Sequence, residues 1–316
     1  MIFDDYPQAL ILTGPTGSGK SRLALDLAER LDAEIISMDS MALYRRMDIG
    51  TAKPTQEDRR RVPHHLLDVL EPWESASVAW WLARARECCR DIVQRGKRPL
   101  FVGGTPLYLK ALLYGLFEGP PADETIRRRL SVEAAATGAA ALHARLAAVD
   151  PVSAGRLHPN DVRRVIRALE VWELTGRPIS AWQTQWYDPV IGQRAVAELN
   201  MPAVRHRCLC LDLPRSELYA RINARVERMI AEGLIEEVRA LRQLEHPLSR
   251  EAAQALGYKE MFAYLEGRAD LAQTIRHIQQ RSRRLAKRQL TWFRHLPLCQ
   301  PIRAELTFAA WGLTMQ

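Results

Sequence analysis

Residues Gly14-Pro15-Thr16-Gly17-Ser18-Gly19-Lys20-Ser21 complete the pattern G-x-x-x-x-G-K-[ST]. They follow an apolar run, Ala9 to Leu12, and precede "RLALDLAERL", whose spacing is helical. That context, strand before and helix after, is what the pattern requires. A loop of this kind turns main-chain N–H groups and a helix N-terminus toward bound phosphates. Lys20 then neutralises phosphate oxygens, and the Ser21 hydroxyl is placed to reach Mg²⁺. The feature commits the N-terminal region to an α/β arrangement. It leaves open whether the phosphates belong to a nucleoside triphosphate or to another carrier of pyrophosphate.

The rest of the first 118 residues extends the alternation. Residues 20–31 read as the helix after the loop, and "EIISMDS" (34–40) as a strand carrying Asp39 and Ser40 at its C-terminal end. "SVAWWLARARECCRDIVQRG" repeats apolar residues at Val78, Leu82, Ala85, Cys89 and Ile92 and stops at Gly96, which predicts a helix. "RPLFVGGT" (98–105) reads as a further strand. The expected fold is a P-loop NTPase-like parallel sheet flanked by helices. Ligands then gather beyond the strands' carboxyl ends, where Gly14–Ser21, Asp39 and Gly103–Thr105 converge. The Pro pair in "EGPPADETIRRRL" marks a break, with Asp123 as a helix cap, and residues 119–199 read as an inserted helical lobe. "HRCLCLDL" (206–213) returns to a strand, so the core comprises 1–118 and 200–316. Two helices follow, one presenting Leu218, Ile222, Val226 and Met229, the other Ile278, Leu285, Trp292 and Leu296.

An apolar content of 47% and a charged content of 26% suit a globular chain. The balance of 45 Lys+Arg against 37 Asp+Glu, a net charge of +8, favours a polyanionic partner. The five Cys show no C-x-x-C spacing and read as reduced core thiols. No leader pattern or membrane-spanning run is visible, so a cytoplasmic protein is expected, and no exposed apolar stripe argues against a monomer. His143, His158 and the His64-His65 pair read as structural.

An ATPase of this class places a Walker-B carboxylate at a strand end to hold Mg²⁺. Here "PLFV" runs into Gly103-Gly104-Thr105 with no acid, and the strand-terminal acid is Asp39. On residues alone Asp39 serves equally as a metal-positioning group, as a base, or as a cap for a helix over "DSMALYRRM". A small-metabolite kinase or an RNA-binding NTPase switch fits the loop as well as any other activity.

Five strings break the tie: "GPTGSGKS", "ISMDSMALYRRMDIGTAKPT", "LFVGGTPLYLKALLYGL", "RLHPNDVRRVIRALEVWELTGRPIS" and "RRLAKRQLTWFR". In this order, from about residue 9 to 296, the chain resembles the tRNA dimethylallyltransferase (tRNA isopentenyltransferase) family. The resemblance implies transfer of a dimethylallyl group from dimethylallyl diphosphate to N6 of the adenosine 3′ of the anticodon (position 37). The implied substrates are tRNAs reading codons that begin with U. The loop Gly14–Ser21 then holds the allylic diphosphate with Mg²⁺ at Ser21, and Arg221, with Arg225 as alternate, touches it. By the same resemblance Asp39 is the base and reads the amine, and Thr105 bonds the reacting region. The implied tRNA contacts are Asp39, Ser40, Met41, Ala42, Thr105 and Arg127. They continue with Arg163, Arg164, Val165, Ile166 and Arg167, then Arg281, Arg284, Lys287 and Arg288, with "QALGYKE" (254–260) a further segment. The partner is a tRNA anticodon stem-loop. Relatives carry Ala where Gly17 stands and Thr where Ser21 stands, and both exchanges are expected to keep the mechanics.

Overall fold

The computed structural model describes residues 2–117, 119–183 and 206–313. The part of the expected helical lobe at 184–199 therefore lies outside the described residues. By contacts the chain divides into a sheet unit, Met1–Leu113 with Ala195–Gln316, and a helical unit, Tyr114–Arg194.

The sheet unit is built on six strands: β1 (Leu10–Thr13), β2 (Ala33–Ser37), β3 (His64–His65), β4 (Arg98–Gly103), β5 (Cys208–Leu211) and β6 (Gln300–Ile302). Their order is β3-β2-β4-β1-β5-β6, and every pairing is parallel. All residues of β1, β2 and β5 are buried, which is why β1 and β5 read as near-continuous apolar runs rather than alternating ones, while β2 also buries Glu34 and Ser37. The chain leaves β1 past β4 toward β2 and later leaves β4 toward β5, so the topological switch falls between β1 and β4. The register there pairs Thr13 with Gly103 and Thr13 with Cys210. The turn after β1 and the glycine pair after β4 thus emerge side by side. A Cβ on Gly103 would sit 2.2 Å from the Met38 carbonyl oxygen, so glycine lets the ends of β2 and β4 approach.

The short edge strands β3 and β6 escape sequence reading, since two or three residues carry no periodicity. Pro301 is tolerated in β6 because that strand lies at the sheet edge. The His64-His65 pair forms β3, with His65 Nε2 2.7 Å from Glu34 Oε2.

Helix α1 (Ile2–Asp5) precedes the sheet. The loop helix α2 (Lys20–Leu31) has Gly19 at its N-cap and no side chain capping it, which leaves its first N–H groups facing the loop. Helices α3 (Gln56–Arg61), α4 (Val78–Gln94) and α5 (Pro106–Tyr114) follow. In α4, Trp81 joins the predicted Leu82-Ala85-Cys89-Ile92 face. It stacks on Tyr108 at 4.1 Å and donates its indole N–H to the Ser37 carbonyl.

The helix expected over "DSMALYRRM" does not form. Asp39 Oδ1 accepts the Met41 N–H at 2.9 Å, and Tyr44 bridges to Leu70, so the segment folds as turns. A short carboxylate bonding its own backbone competes with helix at this position.

The helical unit contains α6 (Glu124–Thr137), α7 (Ala139–Val149), α8 (Pro151–Arg156) and α9 (Val162–Thr175). Asp123 caps α6 through the N–H groups of Thr125 and Ile126, and Asp150 caps α8. Leu130, Leu142, Leu146, Val165 and Leu169 form its core.

The sheet unit closes with α10 (Arg215–Ala231), α11 (Leu234–Arg242), α12 (Arg250–Ala253), α13 (Tyr258–Leu265), α14 (Leu271–Arg294) and α15 (Thr307–Ala310). Leu218, Ile222, Val226 and Met229 of α10 are buried as the spacing predicts. The stripe predicted on α14 is corrected. Its buried face runs Thr274-Ile278-Ser282-Ala286-Gln289-Phe293, Leu285 is only partly buried, and Trp292 is 37% exposed. A seven-residue spacing drifts by about 20° per step on a straight helix, and the sequence reading followed that drift off the true face.

Candidate active site

A cleft of about 190 Å³ opens beyond the carboxyl ends of β1, β2 and β4. It is lined by the polar and charged Thr16, Lys20, Ser21, Asp39 and Arg225, with Gly103 and Gly104. Apolar lining comes from Ile222, Val226 and Met229 of α10 and Ile278 and Leu285 of α14. Ile222 reaches the phosphate loop at Gly17, so apolar and cationic groups meet in one cleft.

The phosphate loop adopts the turn its glycines allow, with Gly17 at φ 82° and Gly19 at φ 86°. In this chain an Ala at position 17 would need Ile222 to move. Besides the left-handed backbone, a Cβ there would lie 2.8 Å from Ile222 Cγ1. The Ser18 N–H donates to the Pro15 carbonyl, while its Oγ is buried with no hydrogen-bond partner among the described residues.

Lys20 is partly open to the cleft as a residue, but its ammonium is closely surrounded and lies 3.3 Å from the Pro15 carbonyl oxygen. Burial lowers its pKa to about 8, with Asp39 opposing the shift and Arg225 adding to it. Arg225 donates to Thr16 Oγ1 at 3.3 Å and to the Thr51 carbonyl at 3.4 Å. Burial also lowers its pKa, again opposed by Asp39. Arg221 stands at the rim, bound to Glu217 at 2.6 Å and reaching the Ser18 carbonyl at 3.4 Å. Both arginines therefore meet the loop, with Arg225 the one lining the cleft.

Asp39 is bracketed by Thr105. The Thr105 N–H donates to the Met38 carbonyl at 3.2 Å, and Thr105 Oγ1 accepts the Ser40 N–H at 3.1 Å. Met41 and Ala42 line the cleft beside it, Ala42 nearly buried.

Several groups that place the site carry signals visible in the sequence only as conserved-looking strings. Glu237 accepts the N–H groups of Asp48, Ile49 and Gly50 at 2.7, 2.8 and 3.1 Å, and the Tyr258 hydroxyl at 2.6 Å. A Cβ on Gly50 would meet the Tyr258 ring at 2.5 Å. Lys53 is buried against Asp48, Asp68 and the Tyr44 carbonyl. "DIGTAKP" and "GYKE" thus latch the loop that follows Asp39. Gln289, inside "LAKRQ", donates to the Gly104 carbonyl at 2.7 Å and accepts the Thr16 N–H at 2.9 Å.

The basic residues divide sharply. On α14, Arg284, Lys287 and Arg288 are exposed, and Arg281, also exposed, pairs with Glu260. In the helical unit Arg163 and Arg164 are exposed, the latter 3.2 Å from Asp161. Val165 and Ile166 are corrected as contact candidates, because their side chains lie in that unit's core at 0% and 8% exposure. Arg127 and Arg167 hold the fully buried Glu170 at 3.0 and 2.7 Å, so internal structure already occupies them.

Among the described residues no cluster of three or more His, Cys, Asp or Glu is arranged to hold a metal. The oxygen donors at the loop are the Ser21 hydroxyl and the Asp39 carboxylate. That sparse set suits Mg²⁺, which takes few protein ligands and completes its shell with water and phosphate oxygens. No helix among the described residues is long and apolar enough to cross a membrane.

The IPP transferase family profile matches residues 42–296. A tRNA dimethylallyltransferase of Geobacter metallireducens is 49% identical over 92% of this chain and 91% of its own length. That of Geobacillus thermodenitrificans is 49% identical over 90% and 87%. Among solved structures, the tRNA isopentenylpyrophosphate transferase of Bacillus halodurans is 40% identical, with a TM-score of 0.65, covering 94% of this chain and 90% of that one. A eukaryotic dimethylallyltransferase acting on tRNA is 27% identical with a TM-score of 0.71, covering 94% and 73%.

Proposed function

This chain belongs to the IPP transferase family, and from that premise we propose a division of labour along the cleft for dimethylallyl transfer to tRNA. The loop Gly14–Ser21, with Arg225 and Arg221, holds the diphosphate of dimethylallyl diphosphate. Asp39 faces N6 of the adenosine 3′ of the anticodon, in tRNAs reading codons that begin with U. The allylic C–O bond breaks with its electron pair leaving on diphosphate, the N6–C bond forms, and the N6 proton passes to Asp39.

The observation that carries this reading is that Lys20 and Arg225 rest on neutral oxygens in the lining that also contains Asp39. Partly buried cations without a carboxylate bound to them are held ready for an anion that arrives with the substrate. Charge growing on a leaving diphosphate is stabilised by such fixed groups and by the uncapped N-terminus of α2. Ser21 would hold Mg²⁺, which would supply further charge neutralisation to the leaving group. The exocyclic amine is a weak nucleophile, and a carboxylate accepting its proton typically contributes about 10²–10⁴-fold.

The adenine must leave its stack to reach Asp39, a cost of roughly a few kcal/mol that is smallest in single-stranded loops. The exposed Arg284, Lys287 and Arg288 of α14, with Arg163 and Arg164 of α9, provide phosphate contacts for the stem-loop. A tRNA substrate fits a cytoplasmic enzyme.

The test is incubation of the purified chain with dimethylallyl diphosphate, Mg²⁺ and an unmodified tRNA that reads a U-initial codon. Nucleoside mass spectrometry should show one adenosine gaining a five-carbon unit. Turnover of ATP on a small acceptor, with no change to the tRNA, would instead identify a kinase.

A further inference from the structure

The ladder that joins β1 to β4 ends at Thr13 and Gly103. Beyond it the two catalytic turns diverge: one is the phosphate loop, the other is Gly104-Thr105. Thr105 fixes the main chain on both sides of Asp39, through the Met38 carbonyl and the Ser40 N–H. Whatever joins Gly104 to the phosphate loop therefore sets the distance from leaving group to base.

Among the described residues that join is made by one side-chain amide, beside the buried Thr13 Oγ1 bond to the Gly103 carbonyl at the ladder's end, 2.8 Å. Gln289, 7% exposed on α14, donates from Nε2 to the Gly104 carbonyl and accepts the Thr16 N–H on Oε1. The two partners differ in kind, carbonyl and N–H, so the amide fits one way round only. The seat is tight: a Cβ on Gly104 would lie 2.8 Å from Nε2 and 3.1 Å from the Gly14 carbonyl oxygen. An apolar residue at this point of α14 would pack equally well but would leave two buried backbone groups unpaired.

We propose that Gln289 is a positioning residue for the transfer, a bridge that continues the β1–β4 ladder and holds the diphosphate cradle in register with the base turn. The inference rests on the reading of Asp39 and the loop given above. It assigns Gln289 no contact with either substrate. Displacing the base turn by about 1 Å relative to the cradle costs on the order of 100-fold in rate.

Two variants of similar volume test it, Gln289→Met and Gln289→Glu. Each is compared with wild type for thermal midpoint, tRNA Kd, donor KM and single-turnover transfer rate. Gln289→Met keeps the packing and loses both bonds. Its transfer rate should fall about 100-fold while tRNA Kd stays within roughly twofold. Gln289→Glu keeps the acceptor for Thr16 and loses the donor to Gly104. It should be slowed as well, with a raised donor KM because a second negative charge faces the diphosphate. A purely packing role predicts a normal rate for Gln289→Met, and a folded Met variant within threefold of wild type overturns the proposal. If the Met variant does not fold, a Glu variant of unchanged rate overturns it equally. A wild-type enzyme that transfers nothing would reject the underlying reading, and the inference with it.

Discussion

The arginines that hold Glu170 and Glu173 in the helical unit and two cations of the cleft, Lys20 and Arg225, are held in opposite ways. In the helical unit arginines meet acids: Arg127 and Arg167 share Glu170, and Arg129 and Arg145 share Glu173. In the cleft Lys20 and Arg225 meet, among the described residues, carbonyl and hydroxyl oxygens, with Asp39 near enough to act through space. The first set has its counter-charge built in and serves the fold. The second is held at a cost that a bound anion would relieve, and serves a ligand. Net charge alone cannot separate the two, because both count equally toward +8.

The largest effect should come from Asp39, the acid facing the unmatched cations. Asp39→Asn is expected to slow single-turnover transfer by about 10²–10⁴-fold while leaving tRNA Kd nearly unchanged. A variant as fast as wild type would remove the base from the account.

Next comes Lys20→Met, which should weaken donor binding by at least about tenfold, since a hydrogen bond to a charged group contributes roughly 1.5–3 kcal/mol. Calorimetry with dimethylallyl diphosphate reads this directly. The same residue gives a pH signature. With its pKa lowered to about 8 in the free fold, Lys20 is charged below that pH and loses its proton above it. Donor affinity should therefore hold level up to about pH 8 and decline beyond, a decline absent in Lys20→Met. The sign for stability is opposite. The buried charge penalises the free fold below pH 8, and the penalty fades as pH rises toward 10.5, where the unfolded chain also loses the proton.

In the helical unit, Arg167→Met removes one of three partners from buried Glu170, leaving Arg127 and the Asp123 N–H. It should cost about 1–3 kcal/mol in denaturant unfolding and leave the salt dependence of tRNA binding as it was. A changed salt slope would move Arg167 from the structural class to the ligand class. Gly17→Ala should cost about 1–2 kcal/mol for a left-handed residue with a Cβ, read as a lower thermal midpoint, and should also displace Ile222 from the cleft wall. Unaltered stability would show that the loop relaxes at Gly17. The smallest effect is expected from Arg284→Ala, which should reduce the salt slope of tRNA binding by about 1 without moving the thermal midpoint.

The sequence disclosed what repeats or follows a rigid pattern. The phosphate loop, the strands β1, β2, β4 and β5 and the helices α2, α4 and α10 were legible because apolar periodicity and glycine spacing report burial directly. The turn at Asp39 was not, since "DSMALYRRM" has helical propensity and it is the Asp39 bond to the Met41 N–H and the backbone bonds to residues 68–70 that redirect it. The α14 face was misread because Ser282 and Gln289 are polar residues on a buried stripe, turned to a cleft rather than to a core. Val165 and Ile166 came in with a family segment whose outward arginines alternate with core side chains. Glu237, Tyr258 and Gln289 bond partners 21 to 273 residues away, a distance no local pattern reports.

The most direct test is a crystal structure with an unreactive thio analogue of dimethylallyl diphosphate. The account expects the diphosphate within hydrogen-bond reach of Lys20, Arg225 and the N–H groups of residues 17–21, and the five-carbon tail against Ile222 and Val226 on the side of Asp39. An anion lodged away from this loop, or a tail pointing away from Asp39, would contradict it.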